Sequence, residues 1–422
     1  MSNRRGVFSY ENGLLLLLGI SFGVAFFDRN AATILVPYIE KDLHLTNTQV
    51  GFIGSSLAIA WALGAYLIAR WSDARGARKP FLLAFLLIFS ACSFLSGLAT
   101  TFPVLVASRL IMGAVEGPFL PVCLAIMAIE SSEHRRGVNS GIMQNFFAAL
   151  LGQSLAPLVL VQVADTFGWR SAFYIAGIPG LLCAIAVMFW VREPTKLAQA
   201  SVDAHAPGGG AGARMGLAQM ISVRNIAICC AISVFMVAWM ILGWTFLPKF
   251  FTDHRGLSPQ TMSYLMTTLG VASAVSGFGA PAISDRIGRK PIMISFCLAG
   301  VITPLAAVYF QGSSAVLGAL MFVGWTATGA FPLFMGVIPG ETISRKYAAT
   351  AMGLVVCVGE VLGGFGITSL AGKLADLSSL TTPILLMVVC AAIGGVLCFF
   401  LEETAPIKVR AAAAQPAVAR AA

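Results

Sequence analysis

Twelve stretches of mostly apolar residues, each about 20 or more long, run through this 422-residue chain, and they restrict it to very few folds. They fall near 13–38, 50–70, 80–101, 103–130, 137–164, 171–191, 224–248, 262–283, 291–310, 314–338, 348–372 and 382–401. About 20 apolar residues are what a helix needs to cross the hydrocarbon core of a bilayer. Inside lipid each backbone N–H and C=O must find its partner within the structure, which leaves helices or a closed barrel. The stretches lack the ten-residue alternation of barrel strands, so helices are expected. Composition agrees: 58% of residues are hydrophobic and 11% charged, against about 25% charged in a soluble domain.

The net charge of +9 invites a nucleic-acid reading, and the placement of the basic residues removes it. Numbered from an inside N-terminus, the outer loops carry five of the 27 Lys and Arg (Lys41, Arg170, Lys249, Arg255 and Lys373), and Arg29 and Arg109 lie within spans. The other 20 fall on the inner side, which is the positive-inside pattern. The expectation is a multi-pass protein of the cell (inner) membrane with both termini cytoplasmic, whose partner is the lipid bilayer. Arg4 and Arg5 before an apolar run resemble a secretion signal, but the run is too long and lacks a clear small-residue cleavage site. The nine cysteines show no metal-ligand spacing, so no metal, cofactor or disulfide is expected. No nucleotide loop or nucleophile–base pair is evident, so no enzyme is expected either.

The chain divides into two sets of six spans. The stretch from Pro194 to Met220, with Gly208, Gly209 and Gly210, reads as a connector. The division is 1–193 for the first bundle, 194–222 for a cytoplasmic linker, 223–405 for the second bundle and 406–422 for a cytoplasmic tail. The sets look like copies. Asp73-Ala74-Arg75-Gly76-Ala77-Arg78-Lys79-Pro80 follows the second span, and Asp285-Arg286-Ile287-Gly288-Arg289-Lys290-Pro291 follows the eighth. Their aspartates are 212 positions apart (285 − 73), as are Gly141 and Gly353, and Gly152 and Gly364. Two six-helix halves related by internal symmetry mark a transporter, with the substrate site expected near the bilayer midplane between them.

Against this apolar background, Asp28 and Arg29 in the first span and Arg109 and Glu116 in the fourth stand out. Intramembrane charges are costly and mark pathways or coupling sites. Arg109 and Glu116 lie two turns apart on one helix face, roughly 10 Å along the axis. Gly113 and Gly117 between and beside them form a small-residue strip that admits another helix closely. The economical arrangement packs spans one and four together. The bland alternative is an inert ion-pair network. Glu360 in span eleven has two readings, a second proton site or a protonated acid bonded within helix packing. Glu341, Arg345 and Lys346 read as loop charges at a helix end.

The two Asp-Gly-Arg loops resemble the signature of the major facilitator superfamily over nearly the whole chain. The resemblance implies twelve transmembrane helices in two pseudo-symmetric bundles, an all-α membrane fold. It also implies that Asp73 and Asp285, with Arg78, Arg286 and Arg289 nearby, gate one mouth. Ala74 replaces the usual Arg after the first Asp, so the stronger network is expected in the second half. The run Phe27-Asp28-Arg29-Asn30 with Arg109-Leu110-Ile111-Met112-Gly113-Ala114-Val115-Glu116-Gly117 is similar to the anion:cation symporter family. In its members the helix-one Arg contacts the substrate carboxylate while the adjacent Asp and the helix-four Glu carry protons. The resemblance therefore implies those roles for Arg29, Asp28 and Glu116, with Arg109 tuning the Glu. Phe26 and Phe27 stand where members often have Tyr.

Arg offers a permanently charged planar fork that matches a carboxylate. Gln144 and Asn145 in span five, with Trp244 and Trp325, supply polar contacts and aromatic walls. Amides are scarce in the second-half spans, and a polyol would leave unpaired polar groups costing roughly 1–3 kcal/mol each. An aromatic or small organic acid is therefore the first substrate reading, and a sugar acid the second. The leading function is proton-coupled symport of an organic anion by alternating access, in a monomer. The alternative is a drug or metabolite exporter working as a proton antiporter.

Overall fold

The structure is a computed structural model that describes residues 10–75, 78–132, 139, 142–193, 217–343 and 345–408. The connector 194–216, the loop glycine Gly76, Gly141 and the tail beyond 408 lie outside the described residues, as do the side chains of Asp73, Gln144, Asn145, Arg345 and Lys346. Among the described residues twelve helices are long and apolar enough to cross a membrane. They are α1 (Tyr10–Ile34), α2 (Asn47–Ala65), α3 (Lys79–Gly97), α4 (Phe102–Met127), α5 (Ala148–Phe167), α6 (Trp169–Trp190), α7 (Arg224–His254), α8 (Pro259–Ile287), α9 (Arg289–Tyr309), α10 (Ser314–Thr342), α11 (Thr350–Leu377) and α12 (Thr381–Cys398). All twelve expected spans appear.

The first ends earlier than expected. α1 stops at Ile34, and a short helix, Val36–Leu43, follows, with Pro37 in its first turn. Proline has no N–H to give and is harmless there, but it cannot continue the preceding helix. His44 closes this helix in the left-handed region at φ 50°.

Backbone contacts divide the chain into two compact units. One comprises Met1–His205 with Trp244–Val271, the other Ala206–Gly243 with Ala272–Ala422. Within each unit the same close approaches recur. In the first, α2 runs against α4: a Cβ on Gly117 would lie 2.2 Å from the Trp61 carbonyl oxygen, and one on Gly113 2.5 Å from that of Leu57. Gly64 answers from α2, since its Cβ would lie 2.1 Å from the Ala114 carbonyl oxygen. Pro118, four residues on, has no N–H for that carbonyl, so it is left facing the neighbouring helix. The glycine strip of α4 thus serves the contact with α2. The expected packing of spans one and four is also present, with the Phe22 ring of α1 and the Phe119 ring of α4 stacked at 6.3 Å between centroids, while the small residue that answers the strip, Gly64, stands on α2. In the second unit Gly329, 212 positions after Gly117, approaches the Ser276 carbonyl of α8 to 2.7 Å by the same measure.

The second repeated contact joins the first and fifth helix of each set. A Cβ on Gly152 of α5 would lie 2.4 Å from the Phe26 Cβ of α1, and one on Gly363 of α11 2.1 Å from the Val234 carbonyl oxygen of α7. Both α5 and α11 widen into π-helix at this point, over Ala148–Leu155 and Gly359–Ile367. The first range shifted by 212 falls inside the second. The third repeat is a cap. Glu193 accepts from the Arg78 and Lys79 backbone N–H groups at 2.7 Å each, and Glu403 accepts from those of Arg289 and Lys290 at 2.7 and 3.2 Å. A carboxylate suits the unpaired donors and positive dipole of a helix N-terminus.

Candidate functional site

α1 and α4 place their charges inside the first unit. Asp28, Arg109 and Glu116 are 0%, 1% and 5% exposed, so all three have left solvent. They act electrostatically on one another, and Arg29 acts on Glu116. None of the four comes within ion-pair distance of another among the described residues. Their fixed partners are neutral. Ser93 of α3 sits 2.6 Å from Asp28 Oδ1, and Ser96, one turn on, accepts from Arg109 Nη2 at 2.7 Å. The Arg109 guanidinium also lies 5.5 Å from the Phe173 ring centroid on α6. Capacity is left over: Asp28 Oδ2, Glu116 Oε1, and Nε and Nη1 of Arg109 are buried without a hydrogen-bond partner among the described residues. A buried polar group left unsatisfied costs about 1–3 kcal/mol, and more when charged, so the set is poised for additional partners.

Arg29 differs from its neighbours. It is partly exposed, and its guanidinium lies 5.4 Å from the Phe26 ring centroid and 5.8 Å from that of Trp61. Both contacts are of cation–π type, which hold a guanidinium plane without occupying its N–H donors. Asn30 ties this turn of α1 to α5 through a 2.8 Å bond to the Gly152 carbonyl.

The remaining expected residues are dispersed. Gln144 and Asn145 stand in a π-helical turn, Ile142–Phe146, with their side chains outside the described residues. Trp244 is buried and groups with the first unit. Trp325 belongs to the second unit and is wholly enclosed. It packs on Trp239 at 4.5 Å between centroids and donates its N–H to Ser273 at 3.1 Å. The expectation of an aromatic wall at Trp325 therefore meets an indole whose surface is already covered by protein. Glu360 is buried at the start of the π-helical stretch of α11, in the second unit.

Of the expected gating residues, Asp285 and Arg289 come together. Arg289 donates to Asp285 at 2.6 Å, to Ser284 at 2.6 Å and to Glu341 through two nitrogens at 2.8 and 3.3 Å. Glu341 is thus a two-toothed partner of Arg289, which corrects its reading as a loop charge. Its position at the end of α10 lets it reach the start of α9. Arg286 is exposed, and Arg78 contributes its backbone N–H to the Glu193 cap. The Asp73 side chain lies outside the described residues.

Sequence reasoning missed Ser93, Ser96, Trp61 and Asn30. A signal existed for two of them: Ser90, Ser93 and Ser96 recur every three residues along one face of an otherwise apolar span.

Comparison with known proteins fits this picture. The sialic acid transporter NanX of Escherichia coli (strain K12) is 26% identical, over 71% of this chain and 73% of its own. The 3-(3-hydroxy-phenyl)propionate transporter of the same organism is 25% identical, over 89% and 91%. The chloramphenicol resistance protein of Streptomyces lividans is 26% identical, over 84% and 89%. Among solved structures, a D-xylose-proton symporter superposes with a TM-score of 0.76 at 19% identity, covering 94% of this chain and 99% of that one. The sequence model of the Major Facilitator Superfamily matches residues 18–365 and 226–421. With twelve membrane-length helices, duplicated helix contacts and these matches, the chain belongs to the Major Facilitator Superfamily and is a multi-pass membrane transporter.

Proposed function

We propose that this transporter moves an organic anion together with protons by alternating access. Arg29 holds the carboxylate, Asp28 and Glu116 carry the protons, and Arg109 sets the field between them. The observation that carries this reading is the contrast around Arg29. Its guanidinium is partly exposed, flanked by Phe26 and Trp61, with no hydrogen bond among the described residues, while the two acids and Arg109 beside it are sealed. A fork held flat by aromatic faces and keeping its donors free suits a bidentate carboxylate. The same faces suit a planar apolar body, which supports an aromatic or small carboxylic acid ahead of a sugar acid. The relatives that carry sialic acid and 3-(3-hydroxy-phenyl)propionate support an organic acid in either case. Gln144, Asn145 and Trp244 are proposed further contacts, Glu360 a second proton site, and Asp285, Arg286 and Arg289, with Asp73 and Arg78, the gate. The basic-residue asymmetry supports an inner-membrane location with cytoplasmic termini.

The test is uptake into proteoliposomes of a panel of carboxylates under an imposed pH gradient. Wild type is expected to accumulate one class of acid, and Arg29→Ala to lose at least about 100-fold in kcat/KM, equivalent to about 2.7 kcal/mol. Arg29→Lys keeps the charge without the fork and recovers only part of the rate. Undiminished anion uptake in Arg29→Ala overturns the reading. Proton-driven efflux of neutral drugs independent of Arg29 establishes the antiporter alternative, and a chloramphenicol resistance protein is among the relatives.

A further inference from the structure

The hydroxyl of Ser93 sits between two oxygens, 2.6 Å from Asp28 Oδ1 and 2.9 Å from the Phe173 carbonyl of α6. Both Ser93 and Asp28 are 0% exposed, so bulk water does not reach the pair. A serine hydroxyl has one proton to give, and a backbone carbonyl only accepts. The two short contacts are both hydrogen bonds only when Asp28 supplies a proton of its own, with the carboxyl O–H donating to Ser93 and Ser93 donating to Phe173. When Asp28 is ionised, Ser93 must turn its proton to the carboxylate and release the Phe173 carbonyl.

We propose that Ser93 is a positioning residue for the proton step, a hydroxyl that reverses direction with the protonation of Asp28 and so links that proton to α6 through the Phe173 carbonyl. This rests on the reading of Asp28 as a proton carrier. The exchange needs no further reactant: one proton enters or leaves at Asp28, and the serine O–H rotates. Ser96, one turn along α3, supplies the contrast. It accepts from Arg109 Nη2, which only donates, and its own proton goes to the Cys92 carbonyl at 2.7 Å or to Ser108 at 2.8 Å. Its direction toward Arg109 is therefore fixed, whatever Asp28 does. Arg109 of α4 acts on the Asp28 carboxylate, Asp28 in turn acts on Glu116 of α4 and Cys92 of α3, and Arg29 of α1 acts on Glu116.

The experiment compares wild type, Ser93→Ala, Ser93→Cys, Ser93→Thr, Ser96→Ala and Asp28→Asn in proteoliposomes. It reads the pH profile of proton-driven uptake and the infrared carboxylic C=O band that titrates in wild type and is absent from Asp28→Asn. A bond to the ionised carboxylate is stronger than one to the neutral acid, so its loss favours the protonated form. Uptake in Ser93→Ala is expected to persist about one pH unit further toward alkaline pH, with the infrared band displaced as the acid loses its acceptor. Ser93→Cys, with its weak donor, should follow Ala, and Ser93→Thr should restore both readouts. Ser96→Ala is expected to slow uptake without moving the profile or the band. The proposal is overturned if Ser93→Ala and Ser93→Cys match Ser96→Ala in both readouts while Asp28→Asn uncouples uptake from protons. If Asp28→Asn still accumulates substrate driven by the imposed proton gradient, the assignment of Asp28 as carrier fails first, and the role of Ser93 fails with it.

Discussion

The two units share a scaffold and differ in charge. The α2–α4 crossing through Gly117 is matched by Gly329 against α8, the α1–α5 crossing by α7–α11, and the Glu193 cap by Glu403. At 212 positions after Asp28, Arg29, Arg109 and Glu116, the second half has Met240, Ile241, Met321 and Thr328. The duplicated features are all backbone packing and helix ends, which any bundle of this kind requires. The unduplicated ones are four ionisable groups that no packing argument calls for. Buried ion networks are weak contributors to stability, and that supports the proposal that a charge set kept in one copy alone serves binding and coupling.

The largest expected effect comes from giving the first unit the second unit's residues. Arg109→Met alone leaves two buried carboxylates without their guanidinium and should cost about 3–5 kcal/mol of stability. Adding Asp28→Met and Glu116→Thr removes the three buried members of the set and leaves the partly exposed Arg29. This triple variant should recover the loss and reach about 1–4 kcal/mol above wild type, as apolar replacement of buried ionic groups often does. Both variants should be dead in transport. Thermal melts in detergent and proteoliposome uptake decide the matter. A triple variant less stable than Arg109→Met would mean that the charges hold the first unit together, and the contrast between the units would lose its functional meaning.

How much of this contrast was legible beforehand depends on the kind of physics involved. The twelve spans and the four charges are properties of single residues in an apolar background, and the 212-residue repeat is a property of spacing, so the sequence exposes them directly. What the charges touch is a property of helix rotation. Gly113 and Gly117 announce a close crossing without saying that Gly64 of α2 is the other side of it. Ser93 and Ser96 show a helical period, yet only the packed α3 reveals that one meets Asp28 and the other Arg109. Trp325 was open to either reading, since a tryptophan suits a binding wall and a packed core equally, and its placement on Trp239 is long-range. The π-helical turns of α5 and α11 left no sequence signal that local propensity reads.

A mid-sized effect tests the shared scaffold. Gly117→Leu and Gly329→Leu both force a side chain into a backbone crossing, at 2.2 and 2.7 Å respectively for the Cβ alone. Each should destabilise the fold by about 1–3 kcal/mol, with Gly117→Leu the worse of the two. The comparison sharpens if both variants that still fold retain ligand-induced thermal stabilisation by the transported acid, because the crossing would then be a structural element in both units. A Gly329→Leu protein as stable as wild type would show the repeat to be a sequence relic without matching packing.

The smallest expected effect lies outside the spans, where the first unit holds another buried charged group. Glu40, on the short helix Val36–Leu43, pairs with Lys249 and lies beside the Asp253 carboxyl. Burial first, and then the Asp253 carboxyl, push Glu40 up to about 8, and the pull of Lys249 in the opposite direction does not offset them. In the unfolded chain a glutamate titrates near ~4.3. Between those values the folded protein binds more protons than the unfolded one, so this group's contribution is complete below ~4.3 and is lost as pH rises through 8. Glu40→Gln keeps the shape of the protonated acid and cannot ionise. The wild-type melting temperature should therefore fall more steeply than that of Glu40→Gln between pH 6 and 9. Parallel curves would mean that Lys249 holds Glu40 ionised throughout. This pair would then be a fixed strut on the first unit, unlike the membrane-buried acids, whose proposed function requires them to gain and lose protons.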